Sequence, residues 1–116
     1  MRRINVGLIA LVLCACSSPK QVLETATPVQ FLSTKSATDL TACIDRNTDG
    51  IPAGLTHTSV KSYSQDSFEI ITRHGDFTGA VVLVKTSDKG STALFYFSAT
   101  EAVPDHVFRQ MSKGCE

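Results

Sequence analysis

From Thr56 to Ala99 the chain breaks into four successive β-rich runs, "THTSVKSY", "SFEIITR", "FTGAVVLVKT" and "STALFYFSA", with turn residues between them. Such runs bounded by turn residues read as strands of one sheet. In the second run Phe68, Ile70 and Thr72 alternate with Ser67, Glu69 and Arg73. "SDKGS" makes a compact hairpin connection, with Gly90 free to take a left-handed conformation. "AVVLV" is apolar on both faces, which places the third run centrally, under helices.

The flanking segments change to helical spacing. In "SATDLTACIDRN" Ser36 and Asp39 have the spacing of a capping box, and Ala37, Leu40, Cys43 and Ile44 share one face. Gly50 and Pro52 limit continuation, so a short helix over about 36–47 is expected. "VPDHVFRQMSKGC" predicts a second helix over about 103–114, with Pro104 in its first turn. Its inward stripe is Val103, Val107, Phe108, Met111 and Cys115. "VQFLSTK" can add one short strand ahead of the first helix. The expected fold is α+β: an antiparallel sheet of about four strands with both helices on one face. At 116 residues the chain has room for one such domain, over 31–116.

The first residues follow a different rule. "MRRINVGLIALVLCACSSPK" opens with Arg2 and Arg3, then an apolar core from Val6 to Leu13. That core is shorter than the ~20 residues a transmembrane helix needs and suits a signal peptide. Leu13-Cys14-Ala15-Cys16 resembles the lipobox of bacterial lipoproteins, with Leu three places before the acceptor Cys and a small residue just before it. Cys14 occupies a position where Ala, Ser or Thr is more usual, and Cys14 as acceptor would put Leu13 where a small residue belongs. The resemblance implies cleavage of residues 1–15 and fatty acylation, palmitate in kind, on the amine and thiol of Cys16. Two or more acyl chains anchor a protein stably, where one binds marginally. Ser17 after the acceptor implies an outer-membrane destination, facing the periplasm. Residues 16–30, polar and with Pro19 and Pro28, are then the tether.

Cys43 and Cys115 are the thiols left in the exported domain, and an even number in an oxidising compartment reads as a disulfide. A metal site is the rival, but His57, His74 and His106 show no ligand spacing to either Cys. Both cysteines fall on the apolar faces of the expected helices, so the bridge would clamp the helices side by side.

"DRNTDGIPAGLT" tests the metal question again. Asp45, Asn47, Asp49 and Gly50 have the spacing that opens a calcium loop. The twelfth position, which should be a bidentate Glu, is Thr56, and no second helix follows. The stretch is therefore expected to be a helix stop, without metal. "TRHGD" brings Arg73, His74 and Asp76 together, but without a nucleophile motif it reads as a hairpin turn. Eleven basic and eleven acidic residues balance, and no basic aromatic stripe points to nucleic acid.

These readings lead to a membrane-anchored envelope lipoprotein with a small domain that binds another envelope protein, without catalysis or cofactor. A sharper form is an inhibitor or immunity protein against a cell-wall hydrolase or toxin. The anchored format is similar to that of lysozyme-inhibitor lipoproteins, although their Ser-Gly-x-x-Tyr type of motif is missing. A small-molecule or lipid-binding module is the further alternative.

Overall fold

A computed structural model describes residues 18–49, 56–75, 77–99, 101 and 103–116. Over these residues the chain folds as α1 (Pro19–Thr25), β1 (Val29–Ser33), α2 (Ala37–Asp49), β2 (Thr56–Ser64), β3 (Ser67–His74), β4 (Phe77–Ser87), β5 (Gly90–Phe97) and α3 (Pro104–Ser112). The strands form one antiparallel sheet in the order β1-β5-β4-β3-β2. This is the α+β architecture that the sequence predicts. The fifth strand is the short "VQFLS" run, and the apolar β4 is the central one.

Register decides the two faces. Ile70 pairs with Val82 and Val82 with Phe95, while Phe68 pairs with Val84 and Val84 with Ala93. These residues face α2 and α3, and with Leu40, Ile44 and Met111 they form the main core. Phe95 is the hub of its aromatic part. Phe31 and Phe108 meet it edge-on, with centroids 6.4 and 5.0 Å away, and Phe97 stacks at 6.2 Å. Such offset and T-shaped contacts add to the burial itself.

The helix ends follow their caps. Ser36 accepts the Asp39 amide at 3.1 Å, so α2 starts one residue after it. At the other end α2 runs two residues past its expected limit, to Asp49. Pro104 opens α3, and Gly114, at φ +73°, turns the chain after it and returns Cys115 to the core. Val103 is not part of the inward stripe. It occupies the N-cap position with a non-helical backbone (φ −137°, ψ 63°), which takes it off the helix's inward face, and it is 53% exposed.

The expected bridge is present between Cys43 and Cys115, with Cα atoms 5.9 Å apart and both residues buried. The C-terminus is also fastened to β1: the Ser33 hydroxyl donates to the Cys115 carbonyl and the Thr34 hydroxyl to that of Glu116. At Gly90 a side chain would run into the Ser33 carbonyl, so the β4–β5 turn passes close to β1 because position 90 has no Cβ.

α1 lies within the stretch expected to be a tether. It is capped by Ser18, which accepts the Gln21 amide at 3.1 Å, and it packs across β4 and β5 on the face away from α2 and α3. Val22 is buried, as is Val81 on that face of β4. Among the described residues no helix is long and apolar enough to cross a membrane.

Candidate functional site

The second sheet face is only partly covered. Its cross-strand rows can be read from the register: Gln30, Leu94, Leu83, Glu69 and Lys61 form one row, and Leu32, Thr92, Lys85 and Ser67 the next. Beyond the cover of α1, Leu83 and Leu94 stand opposite each other, half-buried, on the floor of an open cleft of about 580 Å³. Leu23 of α1 and Tyr63 of β2 line it. The rim carries both signs of charge, Glu69 and Lys85. The Tyr63 hydroxyl lies 3.3 Å from Glu69 Oε1 as a donor, and the Lys61 ammonium stands 5.0 Å from the centre of the Tyr63 ring. A mainly apolar concavity of this size with a few polar groups is the usual form of a binding site.

The outer edge of β2 is a second exposed feature. This nine-residue strand ends the sheet, and among the described residues no further strand pairs with it. Val60 and Tyr63 on it are 45% and 57% exposed. Lys61 and the register shift between Ser62 and Ser64 temper the edge against indiscriminate pairing.

The sequence candidates are placed apart from the cleft. Asp45, Asn47 and Asp49 are all helical, and a two-residue step turns a helix by about 200°, so Asn47 points away from the two carboxylates. Its amide nitrogen instead donates to the carbonyls of Met111 and Lys113, each at 2.9 Å, and contacts Cys115 Sγ at 3.4 Å. The trio is therefore the last turns of a helix, with its middle member engaged in helix–helix packing. Burial, and then the nearby Asp49 carboxylate, raise the Asp45 carboxyl above its ordinary value. Gly50 lies outside the described residues, as do Cys14 and Cys16. Among the described residues no three His, Cys, Asp or Glu side chains group as metal ligands.

His74 ends β3, and Gly75 at φ +62° makes the turn expected there. The structure adds a partner that the sequence did not reveal: His74 Nε2 is 3.4 Å from Glu101 Oε2 in the connection to α3. The imidazole lies so close over Gly79 that a Cβ there would sit 2.6 Å from the ring. His106 is exposed on α3.

Sequence reasoning missed the cleft, although "AVVLV" held its signal. A strand apolar on both faces needs a second covering layer, and α1 supplies only part of one. No family model, curated protein or solved structure matches this chain.

Proposed function

We propose that the chain is an envelope lipoprotein, acylated at Cys16 and facing the periplasm from the outer membrane, and that its domain binds another envelope protein without catalysis. The observation that carries the binding mode is β2, the strand that ends the sheet with no further strand paired to it among the described residues, and on which Val60 and Tyr63 are exposed. An extended segment of a partner adds to such an edge through main-chain hydrogen bonds, with side-chain contacts supplying selectivity. The disulfide supports the oxidising compartment that this reading requires. An inhibitor or immunity role would be the same docking with a hydrolase or toxin as partner. The cleft favours a second reading, the binding of a lipid or small molecule on the other side of the sheet.

The test is a photo-crosslinking residue at Val60 in the full-length protein, activated in native membranes. One dominant envelope partner, lost when Cys16→Ser mislocalises the chain, is the expected result. Crosslinks no richer than those from a probe at exposed Lys113 would reject strand addition at β2.

A further inference from the structure

We infer that the cleft on the second sheet face receives an acyl chain borne on Cys16 of the same molecule, an inference that rests on the lipidation proposed above. Three observations converge on this occupant. First, the cleft floor is hydrocarbon: Leu83 and Leu94 face each other across β4 and β5 with Leu23 beside them, in a space of about 580 Å³. Pockets of roughly 300–1,000 Å³ enclose ligands of small-molecule size. Second, the described chain begins on this same face. Ser18 caps α1, and five helical steps of about 1.5 Å each separate it from Leu23. Two more residues, at most ~3.6 Å each, lead back to Cys16. The contour from Leu23 back to the acylated residue is thus at most roughly 15 Å, about the depth of one leaflet of a ~30 Å hydrocarbon core. Third, polar groups at the rim are engaged with one another: the Tyr63 hydroxyl donates to Glu69, and the Lys61 ammonium stands over the Tyr63 ring. An uncharged chain needs no polar partner there.

One acyl chain lying in the cleft leaves the others on Cys16 to enter the bilayer. It also covers Leu83 and Leu94, the apolar pair that α1 leaves half-buried. The domain would then sit with this sheet face towards the membrane and the β2 edge open to the side.

The experiment feeds cells a clickable fatty acid with a diazirine near its end, irradiates membranes containing the full-length protein, and maps adducts by peptide mass. The expected result is label on Cys16 and an intramolecular adduct on the peptides carrying Leu83 or Leu94. That adduct should be lost in Leu83→Gln, and in Leu23→Gln should the first variant fail to fold. Label on Cys16 with adducts confined to lipids, to a second copy or to other proteins would overturn the inference and leave lipidation standing. No label on Cys16 would defeat both together. Equal labelling of the cleft in Cys16→Ser would show a free fatty acid as the occupant, and would also overturn it.

Discussion

The side-chain amide of Asn47 donates to the carbonyl of Met111 at 2.9 Å, tying α2 to the C-terminal turn of α3 one helical turn beyond the Cys43 bridge. The same nitrogen reaches the Lys113 carbonyl. Terminal carbonyls of a helix have no intrahelical donor, so one amide here satisfies two of them from a neighbouring helix.

Asn47→Ala removes those donations and leaves the part-buried Met111 carbonyl without that donor. The oxidised protein should lose about 1–2 kcal/mol, the usual cost of losing hydrogen bonds to partly buried groups. Asn47→Asp should cost more, because an acceptor replaces a donor. Urea denaturation of both variants checks the order, and an Asp variant as stable as wild type would contradict it.

The disulfide spans a sequence separation of 72 residues. The chain-entropy model gives about 4 kcal/mol for a loop of that length, a large share of the ~5–15 kcal/mol that a small domain commands. Replacing Cys43 and Cys115 together by Ala should lower the urea midpoint sharply and steepen the slope, because the uncrosslinked unfolded chain exposes more surface. An unchanged midpoint would mean that the helix clamp is redundant.

Gly79 and His74 form a testable steric pair. Gly79→Ala places a methyl 2.6 Å from the imidazole, so the ring must shift, and its 3.4 Å approach to Glu101 shifts with it. The expected loss is about 1 kcal/mol, at the lower end of overpacking costs because a side chain can move where backbone could not. In a His74→Ala background the same substitution should cost much less. Thermal melts of the four proteins in this cycle give the coupling, and purely additive effects would argue against the contact.

Asp45 gives a pH-dependent prediction with a definite sign. Burial, with Asp49 adding repulsion, raises its folded-state value above 3.8, so the folded protein holds this proton more tightly than the unfolded chain does. Below about pH 3.8 both states are protonated and Asp45 imposes no cost. As pH rises through the folded value the carboxylate forms at a place that disfavours it, and stability falls. Asp45→Asn should therefore be slightly more stable than wild type at pH 7, and the gain should vanish in strong acid. Denaturation at pH 3 and pH 7 decides this, and a loss at pH 7 would reverse the assignment.

Local chemistry wrote much of the architecture into the sequence. The β-rich runs from Thr56 onward specified β2 to β5, the Ser36–Asp39 spacing specified the start of α2, Pro104 that of α3, and Cys43 and Cys115, each on the apolar face of an expected helix, specified the bridge. Each is a relation within a few residues, or a pairing of two apolar helix faces. Successive hairpins already make β2 to β5 neighbours, but tertiary structure alone decided that β1 closes the sheet beside β5, a pairing that no local turn specifies. It also decided that α1 covers Val81 but leaves Leu83 and Leu94 half-buried, and that Glu101 meets His74 from 27 positions away. The physical reason is common to all three. A period tells which side chains share a face, but what covers that face is supplied by segments that are distant in sequence and arrive only when the chain has folded.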